Sequence, residues 1–516
     1  MIIPLINSRR KSAMINSSIG FITQMVLLIL QFFCRQIFLH YLSIEYLGIS
    51  GTFTSLLDTL SLTELGFQTA IVYGLYKPLK EGSIQQINSI INILRVIYKY
   101  IGLFFLLITI FVTPFVGYFL SGIEVTTSIY VFFAIQSVSV AISYFGAYRR
   151  ALLFADQKDY IAKISDTVCS TVFIAIQILV IVAYRDFALF LIVNVFKIFS
   201  SNLIVHLLSK RLYPFLHKEK INIEKFREIW GNTKNVFVGK MAAYVYSSTD
   251  NLIISVCINT VSVGLIGNYK LLIQGLMRLA NGVFSPIGPI IGNLLLEENN
   301  SRKEEIFRTY NFIRFLITAS ILSPTMILIN SFIAVWIGEQ YVMTEGVVAL
   351  LIIDVYISLV YSSCCDFLSA AGLFKQDRKI ALLGASINFI TSIILAYICG
   401  IEGVLLGTII SQFWFWGARS YLVYSSCFGV FDKKKYKKYW KMNIVYILIA
   451  VMSFCLSNFI CHFYNFDWFV HFLLSGITSM FVTCILILIL LCRTQESAEC
   501  IAVFFRLLRK IYKINS

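Results

Sequence analysis

Apolar residues in this chain are collected into long segments, and short polar stretches separate those segments. A helix needs about 20 predominantly apolar residues to cross the hydrocarbon core of a bilayer. Segments of that length predict fourteen transmembrane helices, at residues 14–39, 46–76, 93–117, 124–147, 161–183, 187–209, 233–256, 263–292, 310–337, 343–371, 380–399, 402–424, 443–463 and 468–492. The pattern therefore predicts an all-α polytopic membrane protein.

The composition supports this prediction. Of the 516 residues, 58% are hydrophobic and 14% are charged, and the mean hydropathy is +0.80, whereas soluble domains carry about 25% charged residues. The 12 cysteines include no C-x-x-C pair and lie mostly in apolar segments, which is typical of buried thiols. We predict no metal site and no cofactor.

The lysines and arginines indicate the topology. Most of the 43 lie on the side of the membrane that holds both termini, and Arg150 and Arg314 are counted among them, whereas the opposite loops hold Arg185 alone. Cytoplasmic loops carry an excess of lysine and arginine, so both termini are predicted to be cytoplasmic. The formal charge of +16 is thus a topology signal rather than a sign of nucleic-acid binding.

The stretch 46–79 is apolar overall but carries more polar side chains than lipid alone would tolerate. At 3.6 residues per turn, one of its faces is polar and holds Thr54, Asp58, Ser61 and Gln68. This face is predicted to line a hydrated space. Asp58 and Glu64 are its candidate cavity or ion-coupling residues.

Several cations lie within the predicted helices, where each charge costs at least a few kcal/mol. Lys197 is near the middle of its segment and Arg278 is also deep, so neither reaches the interface easily. Arg35, Lys240 and Lys270 lie nearer to a helix end, where a long side chain can snorkel. We interpret all five as candidates for binding substrate in a polar cavity. The alternatives are snorkelling and structural ion pairs.

Two further acids complete the set of candidates. Asp250 would form a proton or cation site, or pair with a neighbouring cation, and Asp354 is a candidate cavity residue. Because cations outnumber acids in the leading helices of both halves, an anionic ligand is favoured. Arginine and lysine bind phosphate through charge-assisted hydrogen bonds.

The two halves of the chain match at an offset of 216 residues. The matching pairs are Asn16 with Asn232, Phe21 with Phe237, Met25 with Met241, Gly48 with Gly264 and Gly51 with Gly267. This offset equals six predicted helices, so the halves would be parallel repeats, an arrangement that commonly builds alternating-access transporters. Residues 285–289, SPIGP, would kink the eighth helix and provide a hinge.

Catalytic motifs are missing from the sequence. It contains no H-E-x-x-H, no P-loop and no G-x-S-x-G. We therefore predict a transporter rather than an enzyme, with no ATPase activity of its own. Transport would be driven by an ion gradient, the membrane potential or consumption of the product.

Two stretches resemble the Wzx-type polysaccharide repeat-unit flippases, of the superfamily (MOP) that includes MATE exporters and lipid II flippases. They are YLGISGTFTSLLDTLSLTELGFQTAIVYGLYKPL, residues 46–79, and SSTDNLIISVCINTVSVGLIGNYKLLI, residues 247–273. The resemblance implies two six-helix lobes plus two extra helices. Within the matching stretches, the residues carried over as site candidates are Asp58, Glu64, Asp250 and Tyr269.

The resemblance also implies a function. Such a protein moves undecaprenyl-pyrophosphate-linked oligosaccharides from the cytoplasmic to the outer leaflet, for capsule, O-antigen or exopolysaccharide assembly. Its lobes rock around a cationic cavity that holds the pyrophosphate, while the polyprenyl tail stays in lipid. It would lie in the bacterial inner membrane, beside the glycosyltransferases and polymerase of the pathway.

The predicted organisation follows from the helices and the resemblance. Residues 1–209 form an N-terminal six-helix lobe, 210–232 a cytoplasmic linker, 233–424 a C-terminal six-helix lobe, 425–492 two additional helices and 493–516 a basic amphipathic tail. One alternative function is a MATE-like or lipid II-type exporter of another amphiphile, and an exporter of organic cations would need an acidic cavity. A membrane-bound polysaccharide polymerase or glycosyltransferase is a third candidate, but the short loops leave no room for its catalytic domain.

Overall fold

The computed structural model describes residues 9–61, 67–217, 246, 248–284, 287–464 and 467–501. Within these ranges the regular structure is helical and no β-strand occurs, which confirms the predicted all-α class. The α-helices, numbered in chain order, are α1 (Arg9–Tyr41), α2 (Ile44–Leu60), α3 (Phe67–Glu81), α4 (Ile84–Val112), α5 (Thr127–Ala155), α6 (Asp159–Tyr184), α7 (Phe187–Leu212), α8 (Thr260–Phe284), α9 (Gly288–Leu295), α10 (Asn300–Trp336), α11 (Glu345–Ala370), α12 (Phe374–Ser426), α13 (Lys433–His462) and α14 (Trp468–Leu491).

Ten helices in the described part of the chain are long and apolar enough to cross a membrane, so the chain is a multi-pass membrane protein. Several of them extend past the predicted ends. Helix α5 continues to Ala155, beyond the predicted end at 147, and α10 begins at Asn300, before the predicted start at 310. The predicted ends follow the apolar runs alone. The helices continue beyond these runs, because polar and charged residues can also adopt helical structure.

Two closely spaced pairs of predicted helices are separated by backbone breaks. Arg185 adopts a left-handed conformation, with φ 51°, and ends α6. Asp186 then caps α7, since its Oδ1 accepts a hydrogen bond of 3.0 Å from the Leu189 N–H. Inside α12, Gly400 has φ 60° and ψ −133°, a conformation that is strained for any residue with a Cβ. The segments 380–399 and 402–424 therefore meet at this glycine.

Other parts of the prediction lie partly or wholly outside the described residues. The predicted helix 46–76 contains α2 and α3, and residues 62–66 between them are not described. Of the predicted helix 233–256, residues 248–256 are described, and they are helical. The predicted kink at 285–289 covers the break after α8 and the first two residues of α9, and residues 285 and 286 lie outside the described ranges. Most of the linker 210–232 and the tail from residue 502 also lie outside them.

The chain packs as two compact units, Met1–Gly267 and Asn268–Ser516. In the first unit, α5 packs against α4 and α7, and α1 packs against α6. Buried rings fix α2 and α4 to α5. The ring centroids of Phe53 and Phe133 are 5.2 Å apart, and those of Phe105 and Tyr144 are 5.5 Å apart. Both pairs have the edge-to-face geometry that aromatic rings favour.

The second unit has an aromatic core centred on Phe307. Its ring centroid lies 4.9 Å from that of Phe367, 5.9 Å from Tyr424 and 5.6 Å from Tyr439. These rings join α10, α11, α12 and α13. Because all four are buried, they supply much of the apolar area that holds this unit together.

The last two helices, α13 and α14, are joined to α10 by small hydroxyl side chains. The Ser323 hydroxyl lies 3.2 Å from that of Ser453 on α13 and 3.0 Å from that of Ser479 on α14. Ser453 is also hydrogen-bonded to Thr483. Small polar residues of this kind bring membrane helices close together and bond across the contact.

In the first unit, α2 and the start of α8 approach so closely that only glycine fits. A Cβ added at Gly48 would lie 2.1 Å from the carbonyl oxygen of Thr260, and one at Gly264 would lie 2.8 Å from that of Ile44. Gly48 and Gly264 occupy matching positions in the two predicted repeats. The repeat-related glycines thus meet in one helix contact.

Replacing Gly48 by alanine should lower the melting temperature of the purified protein in detergent. The added methyl group overlaps the Thr260 carbonyl oxygen, so the helices must separate, at a cost of about 1–3 kcal/mol. Gly264→Ala should act in the same direction. Gly417→Ala is the matched control, because no atom lies within 4 Å of its Cβ position and alanine gains about 0.5–1 kcal/mol over glycine within a helix. Wild-type melting of both contact variants would contradict this packing.

Candidate functional site

Helices α5, α6 and α7 of the first unit enclose a cluster of polar side chains around Arg150. The two terminal nitrogens of Arg150 each donate a hydrogen bond of 2.8 Å to a different carboxylate oxygen of Asp166. The Arg150 Nε–H donates to Asn202 Oδ1 at 3.1 Å, and one terminal nitrogen also donates to the Ser201 hydroxyl at 2.9 Å. Ser201 in turn donates to Asp166. The guanidinium therefore sits in a planar, bidentate ion pair with polar groups on its open edges.

A glycine makes room for this cluster. A Cβ at Gly146, one turn before Arg150 on α5, would lie 2.8 Å from the Asn202 side-chain carbon Cγ. With glycine there, Asn202 reaches the α5 backbone and its Nδ2 donates to the Ile142 carbonyl oxygen at 3.1 Å. This contact fixes the Asn202 side-chain oxygen where it accepts from Arg150.

The turn between α5 and α6 is anchored to the end of α7. The Tyr213 hydroxyl donates to Asp156 at 2.7 Å, and the Lys158 ammonium pairs with the same carboxylate at 2.7 Å. Burial, together with the neighbouring Asp156 charge, raises the pKa of Tyr213 well above its ordinary value. Tyr213 thus remains a neutral donor at physiological pH, and the three helices keep a fixed register at this end.

A cavity of about 350 Å³ lies beside the Arg150 cluster. Its lining includes Lys197, Arg150, Asp166, Ser143, Ser170 and Asn202. Lys197 is on α7, one turn before Ser201, and it is half-buried. Among the described residues it makes no ion pair or hydrogen bond, whereas Arg150 is matched by Asp166. The cavity therefore holds two cations and one carboxylate, with Lys197 as the uncompensated charge.

Arg35 lies near Lys197. The charges of Arg35 on α1 and Lys197 on α7 both act on the thiol of Cys34, which places the two cations in one neighbourhood of the first unit. One terminal nitrogen of Arg35 is 3.8 Å from the Cβ position of Gly267. Two of the five predicted cationic candidates are thus brought together, and their role in binding substrate stays a prediction.

The remaining candidates are distributed over both units. Lys270 is half-buried and Arg278 is exposed on α8 in the second unit, where the Arg278 Nε–H donates to the Gln274 carbonyl oxygen at 3.2 Å. Asp354 on α11 accepts a hydrogen bond from the Gln412 amide on α12. In the first unit, Asp58 on α2 is half-buried and Asp250 is buried. Lys240 and Glu64 lie outside the described residues.

The sequence prediction missed the Arg150–Asp166 pair, because it assigned Arg150 to a loop. The structure places Arg150 inside α5, which continues to Ala155. A usable signal was present, since the two charges lie at similar distances on either side of the short turn between α5 and α6. An antiparallel helix hairpin brings residues in such positions to the same level.

The second unit contains two arginines, Arg314 and Arg419, that pair with carboxylates. Arg314 is 2% exposed, pairs with Asp366 at 2.6 Å and lies over the ring of Phe284, 4.2 Å from its centroid. Arg419 pairs with Asp377 through contacts of 2.7 and 3.2 Å. These arginines stabilise helix contacts, whereas the charge of Lys197 faces a cavity.

Comparison with known proteins shows the fold. Over 92% of its length the chain matches 98% of the lipid II flippase MurJ in an inward closed conformation, with a TM-score of 0.64 and 16% sequence identity. It also matches the MATE multidrug transporter DinF-BH (TM-score 0.58, 15% identity, 81% of this chain and 96% of that one). A third match is an inward-facing multidrug resistance MATE family transporter of the MOP superfamily (TM-score 0.57, 13% identity, 78% and 95%).

The sequence comparisons add no family to this result. No protein-family profile matches the chain, and no curated protein matches it. What the chain shares with the MurJ and MATE structures is their helical fold.

Removing one partner of the Arg314–Asp366 pair should destabilise the second unit strongly. Asp366→Asn leaves the buried Arg314 guanidinium without its counter-charge, which typically costs about 3–5 kcal/mol. Arg314→Gln should cost less, because the Asp366 side chain that it leaves unpaired is partly exposed. In a double-mutant cycle the combined variant should lose clearly less stability than the two single losses together. Melting temperatures in detergent provide the measurement. Strictly additive losses would show that the pair does not stabilise the unit through its charges.

Proposed function

We propose that this protein is a flippase that moves a lipid-linked oligosaccharide, carried on undecaprenyl pyrophosphate, across a bacterial inner membrane. Three observations support the proposal. The sequence resembles Wzx-type flippases in residues 46–79 and 247–273. The fold is shared with a lipid II flippase. A polar cavity with excess positive charge lies among apolar helices.

The uncompensated charge of Lys197 carries the proposal. A lysine within an apolar helix is costly unless it meets a counter-charge or water, so such residues generally belong to a substrate or ion pathway. Here the described neighbours supply no ion pair for Lys197, and the only carboxylate lining the cavity is already held by Arg150. An anionic ligand would provide the missing counter-charge. Phosphate fits this requirement because lysine binds it as a point charge and arginine as a planar fork.

The same charge balance argues against an exporter of organic cations. A cationic drug entering this cavity would meet two positive groups and one paired carboxylate. The charge of Lys197 would repel such a substrate, whereas it would attract a pyrophosphate. The flippase is therefore favoured over the MATE-like alternative.

In the proposed mechanism, Arg35 and Lys197 hold the pyrophosphate while the polyprenyl chain remains in lipid. Lys240, Lys270 and Arg278 are further candidates for the same anionic group, and Asp58, Glu64, Asp250 and Asp354 for ion coupling. The six-helix lobes 1–209 and 233–424 would alternate between inward-open and outward-open states, with both termini cytoplasmic. Glycosyltransferases would supply the substrate and a polymerase would consume it.

Deletion of the gene should cause complete, unpolymerised repeat units to build up on the inner leaflet and should abolish the surface polysaccharide. Mass spectrometry of extracted lipid-linked oligosaccharides, beside a surface-polysaccharide assay, measures both effects and identifies the glycan. Unchanged surface polymer and unchanged intermediates, in a host without a second flippase, would contradict the proposal and favour the exporter.

Complementation of that strain tests the role of Lys197. Lys197→Ala should restore less than a tenth of the surface polymer, since losing a charge-assisted contact of 1.5–3 kcal/mol lowers binding by roughly tenfold or more. Lys210→Ala is the matched control, because Lys210 is an exposed lysine on the same helix, α7, and does not line the cavity. Immunoblotting must show equal amounts of both variants. Full restoration by Lys197→Ala would remove the main support for an anionic substrate.

A further inference from the structure

The arginine of the Arg150–Asp166 pair is more open to its surroundings than the arginine of the Arg314–Asp366 pair. Arg314 lies over the rings of Phe284 and Tyr310, at 4.2 and 5.0 Å from their centroids. Arg150 and Asp166 instead face a cavity, where their side chains keep 26% and 41% of their accessible surface. The carboxylate of Asp166 therefore has open space into which it can turn.

The geometry of the pair is the one that a phosphate group would adopt. Two parallel N–H donors of Arg150 meet two oxygens at 2.8 Å each, and guanidinium binds carboxylate and phosphate with the same planar fork. A phosphate in place of the carboxylate would also find the Ser201 hydroxyl, which now bonds both Arg150 and Asp166. Asp166 thus occupies the best anion-binding position in the cavity.

The size of the cavity is also adequate. Its volume of about 350 Å³ corresponds to on the order of ten waters at about 30 Å³ each. Inorganic pyrophosphate has nine non-hydrogen atoms, so it fits in a space of this size. Lys197 lines the same cavity and supplies a second positive group.

We propose that this cavity is an anion-binding site in which Asp166 competes with the phosphate of the ligand for Arg150, while Lys197 provides the permanent attraction. When the site is empty, Asp166 neutralises Arg150, so that no second uncompensated charge stays within the apolar helices. When phosphate enters, Asp166 turns away from the fork. Competition of this kind weakens the binding of the ligand and speeds its release, and a transporter must release its substrate after moving it. The inference rests on the proposed function only for the identity of the molecule that carries the phosphate.

Binding of inorganic pyrophosphate to the full-length protein in detergent tests the competition. Asp166→Asn should bind it roughly tenfold more tightly than wild type, because the amide no longer competes as an anion. Arg150→Gln and Lys197→Gln should each bind it at least about tenfold more weakly. Titration calorimetry gives the affinities, with sulfate at equal ionic strength as the comparison for general screening by salt.

Asp377→Asn is the matched control. It removes the same charge from an arginine pair in the second unit, the one with Arg419, and should leave pyrophosphate affinity unchanged. Melting curves show whether each variant is folded. A folded Asp166→Asn variant that binds pyrophosphate no more tightly than wild type would overturn the proposal.

A second measurement does not depend on any variant. Pyrophosphate should slow the modification of Lys197 by an amine-reactive reagent, followed by quantitative mass spectrometry, and should leave Lys158 unaffected. Equal modification of Lys197 with and without saturating pyrophosphate would overturn the proposal.

If pyrophosphate binds as stated but gene deletion leaves surface polysaccharide intact, the anion site stands and the flippase fails. If deletion stops export but Asp166→Asn binds unchanged, this inference alone fails.

Discussion

A charge within an apolar helix must find a counter-charge or water, and this requirement organises the structure. Arg314 pairs with Asp366 and so joins α10 to α11. Arg419 pairs with Asp377 and so joins the two halves of α12 on either side of Gly400. Arg150 pairs with Asp166 in the first unit. Lys197 has no such partner among the described residues and lines a cavity, and this is the observation from which we propose an anionic ligand.

Close helix contacts made by small residues provide the frame for these charges. Without the methyl group of alanine, Gly48 and Gly264 let α2 and α8 touch through their backbones, and Gly146 lets Asn202 reach α5. In the second unit, serine hydroxyl groups on α10, α13 and α14 hydrogen-bond to one another where these helices pack closely. In lipid, where helices gain little from hydrophobic burial against one another, such contacts and hydrogen bonds supply much of the specificity. The contact at Gly146 also positions a charge, because it fixes the Asn202 oxygen that accepts from Arg150.

The helices were predictable because a bilayer demands long apolar runs, and the breaks at Arg185 and Gly400 fall between runs that the hydropathy pattern separates. The repeat comparison also singled out Gly48 and Gly264, but it could not show that the two glycines touch. Within the candidate site, the position of Lys197 in the interior of α7 was predictable from its distance to the segment ends. Its neighbours Arg150 and Asp166 were missed, because the apolar run ends before Arg150 and no periodicity within one helix reports a contact with the next. The similar distances of the two charges from the α5–α6 turn were the one signal of their pairing.

The most direct test of the proposed function is a flipping assay in proteoliposomes. Lipid-linked oligosaccharide from the deletion strain is placed in both leaflets, a proton or sodium gradient is imposed, and an impermeant glycosidase digests the glycan that reaches the outside. The account predicts that wild-type protein exposes the inner-leaflet fraction and that an equal amount of Lys197→Ala does not. Continued protection of that fraction with wild-type protein under either gradient, or equal exposure by the variant, would contradict it.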